Sequence, residues 1–308
     1  MNALVAGGAG FIGSALVGAL IDAGHKVRVF DNLISGSKDV IHESAEFLEG
    51  DLRDPHKVNE ACADIDLVFH HAAVKSVPRS MEEPVLVHES NVTGTLNLLI
   101  AAVEGGVRKL IYASSSSVYG GAHSGPSNED MAPNPRSPYA ASKLAGEYYC
   151  RIWNEISPLS TVCLRYFNVF GPGQPAASTY AAVFPAFISA LLAGEQPVIY
   201  GDGHQTRDFT FIDDIVRANL LAGEIEGIDG AVINVAGGDP RSVNDVLAGV
   251  SDALGISAQP RYEATRPGDV RHSLADPRRA SELLGWKPET DWREAVAATV
   301  AWFRKPRR

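Results

Sequence analysis

The first 165 residues alternate short apolar runs with segments whose apolar positions recur at helical spacing. Runs at Asn2–Ala6, Lys26–Phe30, Ala45–Glu49, Leu67–His70, Lys109–Ser114 and Ser160–Arg165 read as strands, and Phe11–Ala23, Pro84–Glu104 and Pro138–Ile156 read as helices. Strands interleaved with helices in this way predict a parallel sheet covered on both faces. Ser137 followed by Pro138 predicts an N-cap and a first helical position, which places Tyr139 in the first turn. Past Gly171 the chain becomes rich in glycine and proline, with shorter helices predicted at Ala181–Ala193, Ser242–Leu254, Pro277–Leu284 and Trp292–Phe303. Asp213-Asp214 precedes a further apolar helical stretch and reads as its N-cap. The expectation is an α/β chain: a doubly wound parallel sheet over residues 1–170 and a smaller α/β lobe over 171–308, threaded with the sheet rather than joined by a linker.

Composition narrows the class of function. A chain of 308 residues with 45% apolar and 21% charged residues is long enough for a large buried core. Its formal net charge of -10 argues against a nucleic-acid partner, which calls for a basic face. An anionic small molecule would have to be held by local groups instead. No apolar run reaches the roughly 20 residues that cross a bilayer, so no membrane partner is expected. Met1-Asn2-Ala3-Leu4-Val5 enters a strand at once and leaves no room for a signal peptide, so the chain reads as cytoplasmic. Cys62, Cys150 and Cys163 are widely spaced, as buried thiols are, and no metal-ligand spacing accompanies His70-His71. Trp302 and Phe303 read as core.

Three motifs carry chemistry. Gly7-Gly8-Ala9-Gly10-Phe11-Ile12-Gly13 follows a strand and opens a helix, the place where a backbone turns tightly and lets a pyrophosphate approach the positive helix end. Asp31 ends the next strand, where a carboxylate holds adenosine ribose hydroxyls and repels a 2′-phosphate, favouring NAD over NADP. Downstream come the run Ser114-Ser115-Ser116-Ser117-Val118-Tyr119-Gly120 and the pair Tyr139/Lys143. A tyrosine and a lysine four apart share a helix face, and an ammonium placed there is expected to lower the phenol pKa toward usable proton transfer.

In this order the motifs resemble those of an extended short-chain dehydrogenase/reductase of the NAD-dependent epimerase/dehydratase family, closest to UDP-hexose and UDP-N-acetylhexosamine 4-epimerases. The resemblance implies a Rossmann-type sheet and a catalytic set of Ser115, Tyr139 and Lys143, with Tyr139 exchanging a proton with a sugar hydroxyl that Ser115 also binds. It implies NAD contacts from Gly7, Gly10, Phe11, Ile12 and Asp31, from Asn32, Ser35 and Gly36 near the ribose, and from Asp51 and Leu52 beside the adenine. Ala72, Ala73, Lys75, Asn91 and Tyr166 follow along the cofactor, together with Tyr139 and Lys143. For the substrate it implies Lys75, Ser115, Tyr139 and Asn168, a uridine wall at Ile199 and Tyr200, phosphate arginines Arg207 and Arg266, and Asp269 for the uridine ribose. Ser273 is implied to line the sugar pocket, small enough to admit an acetamido group. One departure is Ala6, where many family members have threonine. The reaction implied is 4-epimerisation of UDP-N-acetylglucosamine through a transient 4-keto sugar, by a homodimer. Two other readings stay open: a UDP-sugar dehydratase, against which Ser116-Ser117 stands where such enzymes carry Asp-Glu, and a non-catalytic NAD-binding protein on the same fold.

Overall fold

The computed structural model describes residues 1–121, 125–176, 182–265 and 270–305. Its first half runs β1 (Asn2–Ala6), α1 (Phe11–Asp22), β2 (Lys26–Asp31), β3 (Glu46–Glu49), α2 (Pro55–Cys62), β4 (Leu67–His70) and α3 (Val77–Glu82). The expected helix at 84–104 follows as α4 (Pro84–His88), a π turn (Glu89–Thr93) and α5 (Gly94–Glu104), and then β5 (Lys109–Ser115), a 3₁₀ turn (Ser116–Tyr119), α6 (Pro138–Ile156) and β6 (Ser160–Tyr166). The remainder comprises β7 (Val169–Phe170), α7 (Val183–Leu192), β8 (Val198–Tyr200), β9 (Thr206–Asp208), β10 (Thr210–Phe211), α8 (Ile212–Glu224) and β11 (Val232–Val235). It closes with β12 (Pro240–Ser242), α9 (Val243–Leu254), β13 (Arg261–Glu263), α10 (Arg278–Leu284) and α11 (Trp292–Arg304).

Seven parallel strands form the central sheet in the order β11-β6-β5-β4-β1-β2-β3. Its inner strands are nearly continuous apolar runs because both faces are covered. Along β1, Ala3 and Val5 enter one core cluster while Leu4 and Ala6 enter the other, as the two-residue period of a strand requires. α1, α7, α8, α9 and α11 pack on the first face, and α2, α5 and α6 on the second. The three cysteines are buried free thiols. No helix among the described residues is long and apolar enough to cross a membrane.

Three expectations change. The sheet has a seventh strand, β11, drawn from beyond residue 171 and paired to β6. Asp213 and Asp214 do not cap α8: the N-cap is Phe211, with no side-chain cap. They lie in the first turn, where buried Asp214 accepts from the Glu289 and Thr290 N–H groups at 2.9 and 3.3 Å. At the C-terminus Phe303 packs against the core, whereas Trp302 stays half-buried outside that cluster.

Candidate active site

The strand order reverses between β1 and β4, and the crevice beyond their carboxyl ends is where such sheets take ligands. Gly7 leaves β1 at φ +86°, and a Cβ on it would lie 2.5 Å from the Ala72 nitrogen across that crevice. Gly10 caps α1 without any side-chain hydrogen bond, so the helix begins on backbone alone. Asp31 turns back over the glycine turn: its carboxylate accepts from Ala9 N at 3.0 Å and Leu33 N at 2.9 Å. Gly36 closes against the same turn, where a Cβ would meet the Ala9 oxygen at 2.7 Å. Beside it Asn32 donates to Asp51 at 2.8 Å, and hydrogen bonding from Arg53 holds the Asp51 carboxyl at about 2. Ser35 is exposed at this rim, while Phe11 and Ile12 are half-buried in the first turn of α1. Leu52 is turned into the second core, packed under Gly94. A dinucleotide fits these residues, because the Gly7 turn is a cradle that any side chain would fill and the bare helix start offers its N–H groups to an anion.

The chain after β4 is fastened to α6 through the π turn. Asn91, buried in that turn, accepts from Val74 N at 2.8 Å and donates to Ser142 Oγ at 3.0 Å, and Ser142 donates in turn to the Tyr139 carbonyl at 2.8 Å. A π turn displaces one residue from the α register, a device found often at functional sites. Ala72 and Ala73 are thereby set beside the crevice. Lys75 is exposed over much of its length, yet burial around its ammonium lowers its pKa. Tyr166, at the end of β6, donates to Asn219 at 2.9 Å and stacks on His71 with ring centroids 6.0 Å apart.

Ser115, Tyr139 and Lys143 meet where β5 ends against α6. Ser137 caps α6 by accepting from Ala140 N at 3.1 Å, with Pro138 at the first position, so Tyr139 stands in the first turn. Ser115 lies beside Tyr139, and its hydroxyl favours the ionised phenol. Ser115 Oγ also accepts from Ser117 N at 3.2 Å and Ser117 Oγ at 2.9 Å. Lys143 is buried and donates from Nζ to the Ala113 carbonyl at 2.9 Å, 5.0 Å from the centre of the Tyr112 ring. Burial pulls its pKa down to about 8, with Cys150 and Glu147 opposing. The lowered tyrosine expected from the four-residue spacing is not found. Burial pushes the Tyr139 phenol up, and the counterweight is the Ser115 hydroxyl rather than the lysine, which is committed to a backbone carbonyl.

The second half of the chain closes over this end. Asn168 Nδ2 donates to the Asp208 carbonyl at 3.2 Å, bringing the loop after β6 to β9. Arg207 is half-buried on β9, beside Thr206, whose oxygen it bonds at 2.9 Å and whose carbonyl also accepts from Ser273 N at 3.1 Å. Ser273 lines a cleft of about 30 Å³ together with Ser116, Tyr119 and Phe167, next to Ser115. Tyr200 is half-buried on β8, but Ile199 is fully enclosed in the first core and therefore supports the strand rather than lining an open wall. Arg266 and Asp269 lie outside the described residues.

Sequence reasoning missed two buried groups here. Asp208 is fully buried, and its carboxylate accepts from Gly238 N and Ala275 N, both at 3.0 Å; burial raises it to about 6 against those bonds. Glu147 and Arg165 form a buried ion pair behind Ser115. A charged residue inside the apolar strand Ser160–Tyr166 was the available signal for the second.

The likeness to known proteins runs the length of the chain. Residues 3–236 match the NAD dependent epimerase/dehydratase family. The UDP-N-acetylglucosamine 4-epimerase of Methanobrevibacter ruminantium, solved with UDP-N-acetylmuramic acid, is 43% identical with a TM-score of 0.94 over 98% of this chain and 97% of that one. The UDP-glucose 4-epimerase of Mycolicibacterium smegmatis is 40% identical over 99% of both chains. The UDP-glucose 4-epimerase of Thermus thermophilus, solved with NAD, is 36% identical with a TM-score of 0.91 over 99% of both. With the glycine turn, Asp31 and the Ser115–Tyr139–Lys143 cluster assembled as described, the chain belongs to the NAD dependent epimerase/dehydratase family.

Proposed function

We propose that the chain is a 4-epimerase of UDP-N-acetylhexosamines, working through a transient 4-keto sugar, with Ser115, Tyr139 and Lys143 as its catalytic residues. As a member of its family it is an NAD-dependent enzyme acting on UDP-sugars; the acetamido sugar and the residue roles are the proposal. The observation that carries it is the placing of Ser115 beside Tyr139 at the carboxyl end of the sheet, with Lys143 buried one turn on.

NAD, held by the Gly7–Gly13 turn, Asp31, Asn32 and the Ala72–Lys75 segment, supplies reversible two-electron oxidation of the sugar carbon. Tyr139 takes the proton from the sugar O4 and returns it, and Ser115 donates a hydrogen bond to the same oxygen. Since burial keeps the phenol protonated at neutral pH, it must be activated as substrate enters, and Ser115 is the partner already poised to lower it. Lys143, with a pKa near 8, changes charge close to working pH and holds the ribose end of the cofactor. Asn168 and Arg207 bind the diphosphate, a task suited to a planar guanidinium fork, with Tyr200 against the uridine. Arg266 and Asp269 take the phosphate and uridine-ribose roles that the family resemblance implies. The 171–308 segment acts as the substrate lobe. Ser273 puts a small side chain on the cleft it shares with Ser116, where a bulkier one would crowd an acetamido group, and the 43%-identical relative named for UDP-N-acetylglucosamine supports that choice.

The protein acts as a homodimer through α6 and the α4–α5 pair. Tyr148, Ile152 and Ile156 form an exposed apolar stripe on α6, and Met81, Val85 and Ile100 are exposed on α3, α4 and α5. Light scattering should give twice the chain mass, and Ile152→Glu should halve it.

Proton NMR of UDP-N-acetylglucosamine incubated with the protein tests the function. A C4 epimer, absent with Tyr139→Phe, supports it. A dehydrated sugar would move the assignment to the dehydratases, and an unchanged sugar would remove catalysis on this substrate.

A further inference from the structure

Behind the Ser115–Tyr139 pair lies a charged cluster that the chemistry above does not use. Glu147 and Arg165 are each only 4% exposed in their side chains. Arg165 Nε and Nη2 donate to the two Glu147 oxygens at 2.8 and 2.7 Å. Burial pulls the guanidinium pKa down, but the hydrogen bonds and charge of Glu147 outweigh this and raise it, so Arg165 stays charged. Shutting two ions away from water sacrifices ionic hydration that apolar side chains of equal volume never have to give up, which makes stability a poor reason for the pair.

Its connections give a better reason. Glu147 Oε1 accepts from the hydroxyl of Ser114, the neighbour of Ser115. Arg165 Nη1 donates to Tyr119 Oη at 2.8 Å, and its guanidinium carbon lies 4.8 Å from the centre of that ring. Tyr119 Oη donates onward to Asn234 Oδ1 at 2.7 Å. Asn234, on β11, donates through Nδ2 to Ser127 O at 2.9 Å and through its N–H to Glu129 at 2.8 Å, both in the chain leading to α6. Ser114 and Tyr119 bracket the turn that Ser115 caps. Tyr139, Lys143 and Glu147 succeed one another at four-residue steps along one face of α6.

We propose that Glu147 and Arg165 are positioning residues that lock the Ser114–Tyr119 turn to α6 and so hold the Ser115 hydroxyl at Tyr139. The inference rests on the catalytic reading of Ser115 and Tyr139. The carboxylate has a second effect through Lys143, whose surroundings are Tyr112 and the Ala113 carbonyl from β5, His70 at the end of β4 and His71 just after it, and Glu147 and Cys150 from α6. Burial lowers both histidines, which are therefore uncharged at neutral pH, and Glu147 is the one carboxylate in the set.

Glu147→Gln keeps the shape but removes the charge and points an amide donor at Arg165. In NAD-loaded protein, kcat on UDP-N-acetylglucosamine should fall about 10²-fold, the loss typical of a catalytic group displaced by an ångström. KM should stay within about twofold, bound NAD should be unchanged, and the alkaline limb of the kcat–pH profile should move to lower pH. Tyr119→Phe, a milder change that deletes only the hydroxyl between Arg165 and Asn234, should lower kcat in the same sense with KM unchanged. If Glu147→Gln fails to fold, the neutral pair Glu147→Gln/Arg165→Met takes its place with the same expectation for kcat. Unchanged kcat and pH profile, or a loss confined to KM or NAD content, overturns the proposal. Should the unaltered chain turn over no UDP-sugar, the functional reading falls, and a crystal structure of the variant decides the positioning: a broken Ser115–Tyr139 contact supports it, a retained one overturns it.

Discussion

Gly13 and Gly18 lie in the same helix, and replacing each with alanine should move stability in opposite directions. A Cβ on Gly13 would sit 2.1 Å from the Gly7 oxygen and 2.8 Å from the Gly8 Cα, both backbone atoms that cannot swing aside. α1 must then back away from the glycine turn, an overpacking cost of about 1–3 kcal/mol or more. Removing a glycine from a helix interior returns only about 0.5–1 kcal/mol. A Cβ on Gly18 meets nothing within 4 Å, so that gain stands alone. The helix gain is common to both, so the two variants should differ by the overpacking cost, about 1–3 kcal/mol, in urea unfolding of NAD-free protein at pH 7. Titration calorimetry should add a functional contrast: Gly13→Ala weakens NAD at least tenfold, because the turn it distorts is the phosphate cradle, while Gly18→Ala binds as the unaltered chain does. A Gly13→Ala protein as stable as Gly18→Ala, with undiminished NAD affinity, would refute the idea that backbone contact across this turn requires glycine.

Ser273→Tyr should abolish turnover of the N-acetylated sugar while sparing any activity on UDP-glucose, because the ring would fill the cleft shared with Ser116; steady-state rates on both substrates check this. Asp31→Ser should weaken NAD and relax its preference over NADP, read from the two dissociation constants, since the carboxylate also ties Ala9 to Leu33. Asp208 has a folded pKa of about 6 against an ordinary 3.8, raised by burial. Its ionised form is thus disfavoured by folding, and the protein should lose on the order of 3 kcal/mol from this group as pH rises from below 4 to above 6. Asp208→Asn should lack that step, so urea unfolding at pH 4.5 and 7.5 should show the gap between the two proteins closing or reversing at the higher pH.

The strands of the first half were legible because a strand buried on both faces is an unbroken apolar run, and α6 was legible to the residue because Ser137-Pro138 marks its start. β11 was missed: Val-Ile-Asn-Val is short, and its partner β6 lies more than sixty residues earlier. α2 was missed because His56, Lys57, Asn59 and Glu60 leave few apolar positions to show a period. The π turn changes a hydrogen-bond register and leaves no mark in composition. The glycine turn and the Tyr139/Lys143 pair could be read from spacing, whereas Ser115 was picked out of its serine run by the family resemblance. The state of Tyr139 could not, because spacing shows which face a lysine shares but not that its ammonium turns to the Ala113 carbonyl. Ile199 went astray for a related reason, since alternation along a three-residue strand does not say which neighbour faces the core.

The account stands or falls on non-redox inversion at C4. UDP-N-acetylglucosamine carrying deuterium at C4 should be converted to its C4 epimer with the deuterium still at C4, no net NADH at 340 nm, and no reaction with Tyr139→Phe. Deuterium lost to solvent, accumulation of NADH, or a dehydrated sugar in place of the epimer would contradict it.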